Sequence, residues 1–419
     1  MQFSQHITNT LGTNGVFKIK DNSTEYFTLS QSTGLVTITK TLELGNTQNS
    51  TSSIGVITKG GISFIHNYFT PNTNGNNTFV GLFSGNFTMA GAVYNTAMGV
   101  STMNSLTTGN YNSGFGVNSL RFNTAGSQNS AFGVQSLGSN TTGSTNSAFG
   151  YNSLSDNING ANNSAFGYFS LTNNTSGSYN TAFGHTALQN NISGNSNSSF
   201  GYFSLNNSIG TGNSGFGNSS LSGATGNNNT ALGFLAGDGL TTGSNNIIVG
   251  YNADVPSGTA NNQVRIGNTS ITYAGIQVAW TITSDRRWKS NIQNSNLGLD
   301  FIRNLRPVSY TRINDETQKT EYGFIAQETE ETLCKSGAEN PGMVTIDDKG
   351  NYELRYNDLL APMVKAIQEL KNENDKLKEE NLKLADEISR LSSVEERLAM
   401  LERKVMKEDI LKEVKSAEK

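Results

Sequence analysis

One glycine returns every seventeen residues through the middle of the chain, at Gly99, Gly116, Gly133, Gly150, Gly167, Gly184 and Gly201. It continues in steps of sixteen to Gly217 and Gly233, then of seventeen to Gly250 and Gly267. A bulky apolar residue precedes most of these glycines, as at Met98, Phe115, Phe132, Phe149, Phe166 and Leu232, and another stands four positions after, as at Met103, Leu120, Leu137 and Leu154. A second glycine falls in mid-repeat, as at Gly126, Gly143, Gly160, Gly177 and Gly194. A unit this short buries about two side chains and cannot fold alone, but stacked units share one core. The period therefore predicts a β-solenoid over 76–270 with one coil per repeat. Asn-Ser-Ala-Phe-Gly is read as a short strand, the glycine as a corner and the following Ser-Leu as a second short strand. Asn, Thr and Gly fill the return turn. Phe and Leu are the expected core.

Composition agrees with stacking. Only 34% of the 419 residues are hydrophobic and 45 are glycine, too little apolar material for one large globular core. Between Gly81 and Gly267 the charged residues are Arg121, Arg265, Asp156, Asp238 and Asp254. Equivalent positions in stacked coils lie about 4.8 Å apart, so a repeated charge would repel its copies, whereas Asn, Ser and Thr can form hydrogen-bonded ladders. The regular Phe/Leu phase argues against a disordered Asn/Ser/Gly tract. The units resemble the Asn-Ser-x-x-x-Gly repeats of trimeric autotransporter adhesin heads, which are parallel β-rolls.

Residues 1–75 read as a small β region and a candidate attachment end. Val16-Phe17-Lys18-Ile19, Tyr26-Phe27-Thr28-Leu29 and Leu35-Val36-Thr37-Ile38 alternate in strand fashion, with Gly34 as a turn before the last. Residues 271–283 read as a linker. Beyond it Arg, Lys, Glu, Asp, Trp and Pro return. Leu297 to Leu305 predicts a short helix with Leu299, Ile302 and Leu305 on its buried face, stopped by Pro307. Tyr322 to Ala326 predicts a strand and Gln327 to Leu333 a helix. Val344-Thr345-Ile346 and Tyr352-Glu353-Leu354 flank a hairpin turn. From 361 to 412 Ile367, Leu370, Leu377, Leu384, Ile388, Leu391, Leu398, Leu401 and Val405 follow 3-4 spacing, with Asn374 and Asn381 in the same seam and one phase shift near Val394. This predicts a coiled coil in which two polar seam residues restrict register and partner number.

Several function classes are disfavoured. A net charge of −4 gives no electrostatic reason to expect a nucleic-acid partner or an anionic membrane surface. Cys334 stands alone, so no intrachain disulfide or thiolate metal cluster is expected, and a lone cysteine is most often a core residue. His6, His66 and His185 are scattered, which disfavours a histidine triad or zinc site, and no cofactor is implied. No secretory leader or membrane span is legible. Such a chain is expected to be made in a cytosol and, if it acts outside, to leave by another route such as lysis with a virus particle.

At the junction stands Ser284-Asp285-Arg286-Arg287-Trp288-Lys289. Serine needs a base to become a nucleophile. Lysine serves when burial or neighbouring cations depress its pKa, and Arg286, Arg287 and Trp288 are at hand. A Ser/Lys pair at a domain boundary suggests a dyad that cuts its own chain. Around it come Leu297-Gly298-Leu299-Asp300-Phe301-Ile302, Leu305-Arg306-Pro307-Val308-Ser309-Tyr310 and Gly323-Phe324-Ile325-Ala326-Gln327-Glu328, and then the terminal coiled coil. In that order these motifs resemble the C-terminal intramolecular chaperone of phage endosialidases, tailspikes and tail fibres, a self-processing serine peptidase family. The resemblance implies a small α+β chaperone domain over 284–360 that trimerises, aligns three upstream chains and then releases itself. It assigns Ser284 as nucleophile, Lys289 as general base and Thr283–Ser284 as the scissile bond. Asp285 matches the motif aspartate, expected to orient the site or cap a turn, and Gly323 to Glu328 matches a structural motif. Trp288 stands where an aliphatic residue is common.

Taken together, the sequence predicts a mainly β homotrimer, a viral tail-fibre or spike subunit located in the virion. A surface fibre with an inactive peptidase is the alternative. A glycan depolymerase is disfavoured, because glycosidases need paired carboxylates and the array holds three Asp and no Glu. A host-surface glycan or receptor is a candidate partner, with Tyr168 and Phe169 or Tyr202 and Phe203 as candidate contacts.

Overall fold

The computed structural model describes residues 16–20, 25–30, 36–38, 56–68, 75–338 and 342–417. Two compact units are present, Met1–Asn268 and Thr269–Lys419. In the first, β1 (Val16–Lys20), β2 (Glu25–Ser30) and β3 (Val36–Ile38) form an antiparallel sheet in the order β1-β2-β3. The expected turn at Gly34 lies outside the described residues.

β4 (Ile57–Lys59) and β5 (Ile62–His66) pair antiparallel and lead into the array. From there strands of three residues, β6 (Thr78–Val80) through to β17 (Val264–Ile266), stack parallel and in register, one per coil. Ser147 pairs with Ser164, Ala148 with Ala165 and Phe149 with Phe166. The chain is thus mainly β, a solenoid of about 11 coils of roughly 17 residues.

The recurrent glycines are fixed by sterics. Gly150 has φ +138°, and a Cβ there would lie 2.4 Å from the Gly167 carbonyl oxygen of the next coil. The mid-repeat Gly160 has a different reason. Its added Cβ would stand 2.4 Å from the Gly177 carbonyl oxygen and 2.5 Å from Asn157 Oδ1. Either substitution would force the coils apart.

Two expectations are corrected. The Ser-Leu segment is not a second strand. Leu120, Leu137, Leu154, Leu171, Leu188, Leu205 and Leu221 sit in tight turns with φ between 50° and 53°. A left-handed leucine costs roughly 1–2 kcal/mol, and complete burial of the side chain returns about 2 kcal/mol or more. Nor is Phe the core partner of Leu. In a three-residue strand neighbours point to opposite faces, and it is the middle residue, Ala131, Ala148, Ala165 or Ala182, that is buried. The phenylalanines face outward and stack ring on ring, with centroids 4.7 Å apart from Phe115 to Phe166.

A buried asparagine column completes the interior. The backbone N–H of Asn180 donates to Asn163 Oδ1 at 3.0 Å, while Asn163 Nδ2 donates to the Gly177 carbonyl at 2.8 Å. The same pattern links Asn95, Asn112, Asn129 and Asn146. A second column runs Asn123, Asn140, Asn157, Asn174 and Asn191 through side-chain amides 2.7–2.9 Å apart.

In the second unit α1 (Leu299–Asn304), α2 (Ala326–Lys335) and the start of α3 (Leu360–Ala417) enclose a small core of Phe301, Leu305, Leu333, Met343 and Leu359. Two hairpins pack with them, β18 (Val308–Tyr310) with β19 (Glu321–Gly323) and β20 (Val344–Ile346) with β21 (Tyr352–Leu354). Phe301, rather than Leu299, is the buried anchor of α1. Cys334 is exposed on α2 and is not a core residue. α3 is one helix of 58 residues. No helix among the described residues is long and apolar enough to cross a membrane.

Asn163→Ala is expected to leave the Asn180 N–H unpaired in a dry interior and the Gly177 carbonyl with the Asn174 amide as its remaining donor. The expected cost is about 2–4 kcal/mol. Hydrogen exchange should show coils on both sides opening faster, with little change near β6 or β17.

Candidate functional site

The junction serine and lysine are brought together by a single tight turn. Arg286–Trp288 form a 3-10 turn in which the Trp288 and Lys289 N–H groups donate to the carbonyls of Asp285 and Arg286 at 3.1 Å. The turn folds the chain back, so that Lys289 Nζ donates to Ser284 Oγ at 2.6 Å. Ser284, Lys289 and Thr283 are all exposed in the single chain.

Asp285 does not join that contact. Its Oδ1 accepts from the Arg287 N–H at 2.8 Å and caps the turn, while the Arg287 guanidinium reaches Oδ2 at 2.7 Å. These bonds hold the Asp285 carboxyl below the usual carboxylate range. Arg287 is thereby paired with a carboxylate, and among the described residues no carboxylate bonds to Arg286, the other flanking cation. Trp288 is exposed and builds no apolar wall around the pair in one chain.

The other motifs build the frame. Arg306 and Glu328 form a two-pronged ion pair at 2.9 and 2.5 Å. Val308 pairs with Gly323 across the β18–β19 hairpin. The Tyr356 hydroxyl accepts from the Phe324 N–H at 3.1 Å, and a Cβ on Gly323 would lie 2.2 Å from that hydroxyl oxygen. At the far side Glu369 on α3 accepts from the Leu299 N–H at 2.6 Å, tying the long helix to the first turn of α1. That bond, and then Lys365, lowers the pKa of Glu369. Tyr356 and Glu369 were not legible as part of the frame. Each acts on backbone N–H groups far away in sequence, and periodicity carries no signal for such a contact.

The profile of the family described as chaperone of endosialidase, which is classed among the peptidases, matches residues 284–337. The matched segment begins at Ser284 and contains the turn, α1, the β18–β19 hairpin and α2. It supports a C-terminal chaperone domain of this kind, and the solenoid fits the repeat shaft. No curated protein and no solved structure matches the chain.

Gly323→Ala is expected to displace Tyr356 and break its bond to Phe324. Tyr356→Phe should cost about 1 kcal/mol, and Gly323→Ala more than that. Melting temperatures of the two variants, both made in a Ser284→Ala background, compare them directly.

Proposed function

We propose that this chain is a subunit of a trimeric tail fibre or spike. Its C-terminal domain assembles three chains and then releases itself by cutting Thr283–Ser284. A peptidase-class chaperone match and a β-solenoid shaft support a tail-fibre-like protein. The observation that carries the cleavage is Lys289 Nζ at 2.6 Å from Ser284 Oγ, at the first residue of the family match.

The chemistry follows from position. Ser284 Oγ is tethered beside the carbonyl of Thr283, so attack is intramolecular and gains from proximity. Neutral Lys289 takes the hydroxyl proton as the oxygen bonds to the Thr283 carbonyl carbon. Collapse breaks the Thr283–Ser284 C–N bond, the amino nitrogen of Ser284 takes a proton, and an ester remains. Water then hydrolyses that ester, leaving a Thr283 carboxylate and the free Ser284 hydroxyl. Asp285 serves by holding the turn that presents Lys289.

Lysine acts as a base only when its neutral form is favoured by burial or nearby cations. One chain leaves the pair exposed. Neighbouring chains that cover the turn would supply the missing desolvation, so cleavage follows assembly. The seam residues Leu370, Leu377, Leu384 and Leu391 are all exposed on α3 and form the assembly device, with Asn374 and Asn381 restricting its register. The released shaft acts in the virion, with a host-surface glycan or receptor as its target.

Denaturing electrophoresis tests this reading. Wild type is expected to give fragments 1–283 and 284–419, and Ser284→Ala and Lys289→Ala the full chain only. Leu377→Asp with Leu384→Asp should stop cleavage although the pair is untouched. A wild-type chain that folds and stays whole would instead favour a structural fibre that keeps its chaperone.

A further inference from the structure

Each strand of the array pairs with the next strand of the same chain, Ser147–Phe149 with Ser164–Phe166 and so on to β17. One chain therefore closes its own coils. The outward column of these strands is apolar throughout. It starts at Val80 and Met98, passes through the phenylalanines from Phe115 to Phe216, and ends at Leu232, Val249 and Ile266. The rings are held parallel, within 8° of one another. They are only partly covered. Phe183, Phe200 and Phe216 keep 37–39% of their surface exposed and Met98 keeps 51%.

At one strand spacing per coil the stripe is roughly 50 Å long, and with its Ser/Thr neighbours roughly 10 Å wide. A strip of about 500 Å², apolar along its length and flanked by Ser and Thr, lies in the upper part of the range of the largest patch on a monomer. Val100, Val117 and Val134, two residues along the chain from Met98, Phe115 and Phe132, are also exposed and add apolar surface toward the roughly 800 Å² per partner of a stable contact.

We propose that this phenylalanine face is the surface on which three copies of the chain meet, as side-by-side solenoids about a common axis. The proposal rests on the trimer reading above and adds the surface and the mode of contact. A second copy is the occupant that matches the stripe in length, pitch and lack of charge, because it carries the same stripe. The repeat also sets a limit. Sliding one copy by a single coil re-forms almost every ring contact, so the stripe drives association but cannot choose its axial register. The seam of α3, interrupted by Asn374 and Asn381, supplies that choice.

The test places a photoreactive benzoylphenylalanine at Phe149 in the full chain and, separately, at Ile192. Ile192 is exposed and lies half a coil away along the chain from Phe183 and Phe200. Native mass is recorded before irradiation. A trimer that yields covalent dimers and trimers from Phe149, at least tenfold more than from Ile192, supports the proposal. A trimer with no Phe149 crosslinks, or with equal yields from both positions, overturns the face while leaving the assembly reading intact. A monomeric native mass overturns both.

Discussion

The shaft depends on the buried asparagine ladder. Each coil contributes little apolar material, chiefly one leucine and one alanine or its equivalent. Most of its backbone lies in turns whose N–H and C=O groups have no partner in their own coil. A dry interior would penalise each of them. One asparagine per coil accepts from the N–H of the next coil and donates to a glycine carbonyl, as Asn163 does. Its amide thus serves as an interior strut that fits one coil spacing. The mid-repeat glycines follow from it, because the carbonyls that the amides reach can approach this closely only where no Cβ intervenes.

The ladder also explains why the outside has the character it does. With Leu, Ala and Asn filling a narrow interior, no volume remains for a phenylalanine ring. Rings are displaced to the outer face, where they stack at the coil spacing. Such an array is rigid along its length and uniform along its surface. These are useful properties for a shaft and poor ones for specifying register. In the proposed assembly, specificity would come from a sequence that does not repeat, the C-terminal unit with its interrupted heptads and its α1–α3 tie through Glu369.

The sequence made some of this visible and hid the rest for definable reasons. The coil period was legible because a steric dead end admits one residue type, and glycine at a fixed interval is hard to mistake. Which of Ala and Phe faces inward was not. In a three-residue strand the alternation leaves two choices, and general hydrophobicity points to the wrong one. The left-handed leucines were hidden because local propensity opposes them and only the packed neighbour coil makes them tolerable. At the junction the serine and lysine were legible through the order of surrounding motifs, and the structure brings them together. The part played by Asp285 as a cap for the turn was one of two roles that its position allowed. Phe301 was passed over because three other apolar residues fitted the helical spacing equally well.

The self-release proposed for this chain has a physical rationale in the same repetition. An array whose coils are nearly equivalent has many misregistered states close in energy to the correct one, and non-local pairing between chains is slow to correct them. A clamp that holds three chains at high effective concentration lets the correct register form first. In the proposed trimer, stripes packed along their full length would slide only by losing all ring contacts together, so the barrier would grow with the number of coils. Removing the clamp at that stage leaves the packed shaft in place and takes away the route by which it assembled. The shaft proposed here would then be held by kinetics as much as by equilibrium stability. The proposed coupling of the cut to assembly, with an exposed pair made reactive by the neighbouring chains that cover it, would make release conditional on the step it is meant to follow.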